Sequence, residues 1–415
     1  MQLYIGIDDT DSKKGLCTTY LAAVLGERLA AFSSVQETRL IRLNPNILWK
    51  TRGNGAVCLK IETHDLQRVK SETLKTVEEF SDLDAEGTNP GVVFYLGVEP
   101  ELFESFYLRA LREVVTTIDA EELAEKNGCE IYRWKNGRGV IGALAAIGAD
   151  LREHTFEFIA YRQSEYWGTS RNIDSESVRA MDLATHPMTF NNVDPETSQI
   201  LVAPSSPCPV LYGIRGKTPE VVEQASKLVR CSEPIERTAL FKTNQGTDAH
   251  LVSCTISEAR PESSVIVCGS VLAAPKTLAG GHVIFSISEN ENSIDCAAYE
   301  PTGGFRKVVK KLREGDIVKA YGGVRKTRNL TVNLEKLEVL ELSECFEKKN
   351  PVCPVCTKKM ESAGRGQGFR CRKCRTTSER KELTPVERKL KLGLYSVPPR
   401  AMRHLSKPID SSIEY

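Results

Sequence analysis

Long apolar runs and net charge are what this chain has least of. Its longest hydrophobic stretches fall short of the ~20 residues a helix needs to cross a bilayer, which excludes a helical membrane protein. The opening MQLYIGIDDT has neither the basic flank nor the apolar stretch of a secretory leader, so a cytoplasmic protein is expected. Without an oxidising compartment, the nine cysteines scattered singly among the 13 read as reduced core residues, not as disulfide partners. Net charge is only +1, from 56 Lys and Arg against 55 Asp and Glu, but the balance is uneven. Lys358 to Lys407 carry 15 basic residues against 4 acidic ones, either a solvated face or a phosphate-binding surface.

What is present suffices for several cores. A chain of 415 residues, 40 % hydrophobic and 27 % charged, has globular composition and room for three or four domains. Leu3, Ile5 and Ile7 alternate as a strand, and Leu21, Val24, Leu25 and Leu29 mark a helix stripe. Strands over 38–43 and 56–62, a helix over 66–80 and a strand over 92–97 complete a βαββαβ order, either a ferredoxin-like split unit or part of a larger α/β sandwich. Helices over 101–119 and 121–126, a strand over 129–134 and an apolar helix over 140–147 follow. A second βαββαβ is traced over 151–255, with its middle strands left between 188–193, 200–203 and 210–213. From Ser264 the pattern is all-β: three strands, a short helix at Phe305, Val308, Val309 and Leu312, then two strands. That is the order of an OB-fold, against the alternative of a generic five-stranded barrel or meander.

The most specific isolated motif is Cys353-Pro-Val-Cys356 followed by Cys371-Arg-Lys-Cys374. Two such knuckles supply four thiolates to a tetrahedral zinc and leave no open coordination position, so the metal is structural. Arg370, Arg372 and Lys373 ring that site, and Arg325, Lys326 and Arg328 occupy the last hairpin of the OB-fold, all suited to RNA backbone contact.

At the other end, Gly6-Ile-Asp-Asp-Thr-Asp11 crowds Asp8, Asp9 and Asp11 at the end of a buried strand. So many carboxylates repel unless a cation neutralises them, and magnesium is the natural counterion beside phosphate oxygens. Thr18 and Thr19 then open a helix whose free amides favour an anion. The competing reading is an acidic surface turn with a threonine cap. Asn136-Gly-Arg-Gly139 offers Gly137 and Gly139 for close backbone approach to a phosphate and Arg138 to neutralise it, or else an ordinary strand–helix turn. It lacks the terminal Gly-Lys-Ser/Thr of a Walker loop. Lys50, Arg52 and Asn54 lie on a glycine-flexible hairpin, a contact for base or triphosphate or a solvated turn. Trp167, Gly168, Thr169 and Arg171 read as a stacking cluster or as core.

Taken together, IGIDDTDSKKGLCTTYLA, KTRGNGA, NGRGVIGALAAIGA, the OB-fold and the CPVC…CRKC ribbon resemble the archaeal tRNA(Ile) agmatidine synthetase family over essentially the whole chain. The resemblance implies a multidomain α+β protein: a catalytic kinase-like α/β domain (1–150), a ferredoxin-like domain (151–255), an OB-fold β-barrel (262–345), a C-terminal zinc ribbon (346–382) and a basic tail (383–415). It implies an ATP-dependent ligase that joins agmatine to C2 of the wobble cytidine of a tRNA(Ile) with a CAU anticodon, through phosphorylation of the C2 oxygen. Asp8, Asp9 and Asp11 would bind magnesium and the triphosphate of ATP, Thr18 would be autophosphorylated, and Gly137–Gly139 would cradle phosphate. Nothing in the sequence marks a protein or membrane partner. Two rivals remain, a noncatalytic RNA or single-strand DNA binding protein and a small-molecule kinase or ligase whose C-terminal modules only dimerise it.

Overall fold

The computed structural model describes residues 1–326 and 328–409. Its front half is one mixed sheet of nine strands in the order β5-β4-β1-β3-β2-β9-β6-β8-β7. The first βαββαβ run is β1 (Gln2–Asp8), α1 (Thr18–Ala30), β2 (Ser34–Arg42), β3 (Gly55–Glu62), α2 (Leu66–Glu79) and β4 (Gly91–Tyr95). The second is β6 (Thr155–Arg162), α6 (Ser175–Thr185), β7 (Thr189–Phe190), β8 (Val210–Gly216), α7 (Pro219–Ser226) and β9 (Ile235–Thr243). Between them lie α3 (Glu104–Arg112), α4 (Thr117–Lys126), the edge strand β5 (Glu130–Arg133) and α5 (Gly139–Ile147). Counting the strands of each run from one to four, both give the spatial order 4-1-3-2. The two are stitched by a parallel pairing of β2 with β9, Arg39 opposite Lys242 and Leu40 opposite Thr243.

β1 is buried on both faces because helices cover both. Leu3, Ile5 and Ile7 pack with Leu21, Val24 and Leu25 of α1 and with Val69 and Val77 of α2. Tyr4 on the opposite face packs with Phe106 and Tyr107 of α3 and with α5. Of the two architectures left open for this stretch, the α/β sandwich therefore describes the front unit. Gly6 sits where a Cβ would lie 2.0 Å from the Ala143 carbonyl oxygen, so β1 and α5 approach to backbone contact.

Two expectations change in detail. The helix expected over 101–119 is broken: α3 stops at Arg112, Glu113 turns extended (φ −130°, ψ 178°), and Thr116 restarts the chain with a capping box to Asp119. The β-branched run Val114–Thr117 favours that break. Of the three candidate middle strands in the second unit, 210–216 is the long one, while Ile200 makes only an isolated bridge to Val193.

The OB barrel closes as expected from strands Ser264–Val271, Val283–Glu289, Asn292–Ala298, Ile317–Lys326 and Leu330–Glu341, with the helix Phe305–Val309 between the third and fourth. The segment after 382, expected to be a basic tail, is ordered through 409. Glu382–Pro385 pairs with Phe346–Lys349, and Gly393–Ser396 adds a strand beside Lys336–Val339 of the barrel. The chain then runs back over the front half as a strap. Its basic residues had masked its anchors: Leu390, Tyr395 and Val397 are buried in the barrel core and Leu405 in the front core. Among the described residues no helix is long and apolar enough to cross a membrane. Thr327 of the basic hairpin and residues 410–415 lie outside the described residues.

Candidate active site

A cleft of about 350 Å³ opens where the two βαββαβ units and the strap meet. Its lining includes Asp8, Asp9, Asp11, Thr18, Lys50, Arg52, Asn54 and Arg138, residues that the sequence scatters over 130 positions.

β1 delivers Asp8 to the cleft, and Asp9 leaves the strand in the left-handed region (φ 60°), a conformation Asp tolerates better than most residues. Asp8 accepts from the Asp9 amide at 2.7 Å. Burial, reinforced by the charges of Asp9 and Asp11, pushes its pKa up to about 8. Asp9 is raised as well, by burial, against the pull of Arg138. Arg138 Nη2 donates to Asp9 Oδ2 at 2.8 Å and Arg52 Nε to Asp11 Oδ2 at 2.7 Å. Among the described residues, two of the three acids thus have a guanidinium in contact, while Asp8 feels Arg138 only at a distance. Only the four ribbon cysteines, among the described residues, lie close enough together to hold a metal ion by themselves, so a cation at these acids would need further oxygen ligands, such as those of a bound phosphate.

Thr18 is the first residue of α1. No side chain caps that helix and no acid occupies its first turn, a helix start of the kind that favours an anion. Both threonines are nearly buried. Thr18 Oγ1 accepts from Thr10 Oγ1 at 3.0 Å, on the acidic loop, whereas Thr19 Oγ1 lies 3.1 Å from Cys17 Sγ.

The glycine-rich loop places one side chain and packs one helix. Gly137 has φ 68°, and the amides of Gly137, Arg138 and Gly139 donate to Trp134 O, Asn136 Oδ1 and Asn89 O, each at 3.0 Å. The group that the loop turns to the cleft is the Arg138 guanidinium. A Cβ on Gly142 would fall 1.9 Å from Asp8 Oδ2. On the 50–55 hairpin, Lys50 Nζ donates to Pro45 O and Asn54 Nδ2 to Asn44 O at 2.9 Å, so Asn54 also fastens the hairpin. Burial, with Arg403 and Arg325 nearby, brings the pKa of Lys50 down to about 8.

Several lining residues carry no motif. Glu157 is buried at the floor, accepting from Gln245 Nε2 at 2.5 Å, with Arg215 at 3.9 Å and Arg42 at 4.0 Å. Trp49 is half-exposed at the mouth, and His404 comes from the strap. Arg42, then burial, then Arg215 and Lys50 hold the His404 imidazole well below the usual histidine range. Only Trp49 had a signal, an aromatic beside Lys50 on a turn. Trp167, by contrast, packs edge-on against Tyr20 at 5.4 Å and donates Nε1 to Arg162 O, as core. Arg171 holds the 206–210 loop through Ser206 O, Cys208 O and Val210 O.

Away from the cleft, the sulfurs of Cys353, Cys356, Cys371 and Cys374 lie within 4.8 Å of one another, a donor set that fits a closed tetrahedral site. Arg370, Arg372 and Lys373 are exposed around it, with Arg372 held to Glu361 at 2.6 Å. Lys326 and Arg328 are exposed on the barrel hairpin, and Arg325 turns toward the strap.

Four family profiles cover the chain: the TiaS TCKD domain at residues 4–136, the TiaS FLD domain at 137–250, an OB-fold nucleic acid binding domain at 265–340 and the TiaS C-terminal zinc ribbon domain at 350–390. The isoleucine-tRNA 2-agmatinylcytidine synthetases TiaS of Methanosarcina mazei and Archaeoglobus fulgidus are each 45 % identical, over 98 % and 99 % of this chain and 97 % of theirs. A crystal structure of apo TiaS superposes with a TM-score of 0.91 at 44 % identity, covering 100 % of this chain and 99 % of that one. The complex of TiaS with its isoleucine tRNA, AMPCPP and agmatine superposes at 0.88 and 42 %, over 98 % and 96 %. By sequence over its whole length and by fold, the chain belongs to the TiaS family of isoleucine-tRNA 2-agmatinylcytidine synthetases.

Proposed function

We infer that the chain is an ATP-dependent tRNA-modifying ligase that joins agmatine to C2 of the wobble cytidine in a tRNA(Ile) with a CAU anticodon. The observation that carries the reading is one cleft gathering Asp8, Asp9, Asp11, Thr18 and Arg138 at an uncapped helix start, in a chain of this family. The C2 oxygen of cytosine is a poor leaving group. Transfer of a phosphoryl group from ATP to that oxygen converts it into a phosphate ester, the primary amine of agmatine attacks C2, and inorganic phosphate departs with the oxygen once the C–N bond has formed. A proton lost from the attacking nitrogen balances the step.

In this reading Asp8, Asp9 and Asp11 hold magnesium against the triphosphate. Arg138, positioned by Gly137 and Gly139, and Arg52 draw charge from the phosphates, while Asn54 frames the nucleotide side of the cleft and Lys50 stands where the cleft meets the neighbouring chamber. Thr18 is the protein's own phosphoryl acceptor; its bond to Thr10 on the acidic loop favours it over Thr19. The four cysteines hold a structural zinc. Arg325, Lys326, Arg328, Arg370, Arg372 and Lys373 grip the RNA backbone while the target base is turned out into the cleft.

The test is incorporation of labelled agmatine into a tRNA transcript with ATP and magnesium. Thr18→Ala is expected to lose incorporation with its fold intact, and Thr19→Ala to keep it. Full activity of Thr18→Ala, or phosphate found on Thr19 in the wild type, overturns the assignment.

A further inference from the structure

Beside the catalytic cleft lies a second chamber of about 450 Å³, walled by three segments distant in sequence: the 43–53 hairpin, the barrel strand Ile317–Lys326 and the strap at 402–405. Its polar lining is Arg42, Lys50, Arg52, Arg325, Arg403 and His404, with no carboxylate. We propose that this chamber is a phosphate-ester subsite that takes the RNA phosphodiester adjoining the target cytidine. The proposal rests on the enzyme reading above and adds to it the place where the strand is held.

Charge accounting around the chamber supports it. Arg52 is spent on Asp11, and Arg42 leans on Gln245 Oε1 at 3.3 Å and on Glu157. Arg403 donates to Asn46 Oδ1 at 2.7 Å and lies 3.3 Å from Glu335 Oε1. Among the described residues Lys50 reaches only the Pro45 carbonyl and Arg325 has no ion pair. Two cationic groups are thus held facing one cavity without an acid, an arrangement that costs free energy until an anion arrives. The depressed pKa of Lys50, with Arg403 and Arg325 among its causes, agrees.

Position identifies the anion. The chamber shares Arg42, Leu43, Lys50, Arg52, Gly53 and His404 with the catalytic cleft, so a base that enters the cleft leaves its backbone at the chamber mouth. The same chemistry could come from the tail of the nucleoside triphosphate. That source is disfavoured because the anion site at the start of α1 and the acidic loop lines the first cavity and not the second.

A protein–RNA double-mutant cycle with the full-length chain tests the proposal. tRNA carrying one neutral methylphosphonate at the linkage on either side of the target cytidine is titrated against wild type and Arg325→Gln. For one of the two linkages, wild type should lose roughly tenfold or more in tRNA affinity, as for a charge-assisted hydrogen bond. Arg325→Gln should bind unmodified tRNA more weakly, with a salt slope smaller by about 1, and should show no further loss with that linkage. Lys50→Gln repeats the cycle from the opposite wall. Independent losses at both linkages in both variants overturn the proposal, as does a fall in ATP affinity without coupling to the methylphosphonate, which would give the chamber to the triphosphate. A wild-type chain that fails to bind the tRNA at all refutes the enzyme reading as well, and so is distinguishable.

Discussion

Gly142→Ala puts the central geometric claim to its hardest test. The added methyl would stand 1.9 Å from Asp8 Oδ2, 2.6 Å from its Cγ and 2.9 Å from its Cβ, so either the carboxylate or α5 must move. The helix has little room: Gly6 and Gly91 already bring β1 and β4 to within backbone contact of it. Relief therefore falls on Asp8. Overpacking of this kind costs about 1–3 kcal/mol, and a shift of about 1 Å in a reacting group can cost on the order of 100-fold in rate. The expected result is a protein that unfolds somewhat earlier in urea but loses about two orders of magnitude in agmatine incorporation. Gly26→Ala is the control. Its Cβ would meet only Leu59 Cδ2, at 3.9 Å, in the middle of α1, so activity should be unchanged and stability up by as much as ~1 kcal/mol. If Gly142→Ala keeps wild-type turnover, Asp8 does not act from the place described, and the site must be rebuilt around other residues.

Two further predictions concern parts remote from the chemistry. Glu335 sits in the barrel strand beneath the strap, accepting from Ser406 Oγ at 2.6 Å, with His250 Nε2 at 3.1 Å. Burial raises its pKa, but His250, Arg403 and Ser406 outweigh that and bring it down to about 2, against 4.5 for a free glutamate. A depressed carboxyl stabilises the fold above its unfolded pKa, and that contribution disappears as pH falls from about 4.5 toward 2. Glu335→Gln should lose about 1–3 kcal/mol at neutral pH and show a flatter acid limb below pH ~4.5 in denaturant titrations; an unaltered acid limb refutes the assignment. Chelation of the ribbon metal, or Cys371→Ser, should expose 350–381 to protease and weaken tRNA binding while the barrel melts as before. Loss of the barrel transition at the same time would show that the ribbon is not an independent module.

How much of this was legible in the sequence depends on the range of the interaction. The acidic loop, the glycine pairs and the cysteine knuckles are short patterns whose chemistry travels with their spacing, and the cleft does gather Asp8, Asp9, Asp11, Thr18 and Arg138. Glu157, Arg215 and Arg42 are single residues on strands, and no local signal joins them. What does is the pairing of Arg39 with Lys242, which sets the second unit beside the first, and that register is a property of the assembled sheet. The strap escaped notice for the opposite reason, because a strong local signal hid a weak one. Fifteen basic residues between Lys358 and Lys407 read as a solvated face or a phosphate-binding surface ending in a basic tail, yet Leu390, Tyr395, Val397 and Leu405 are spaced among them as anchors. Anchored, the run is no longer free to be a diffuse counter-charge for RNA. Arg403 is set at a fixed position against Lys50 and Arg325, and the charge acquires a shape. A mobile tail would lower its own repulsion by moving apart; a strap pinned at Leu405 and at the Glu335–Ser406 bond cannot, so the repulsion remains available to be relieved by a ligand.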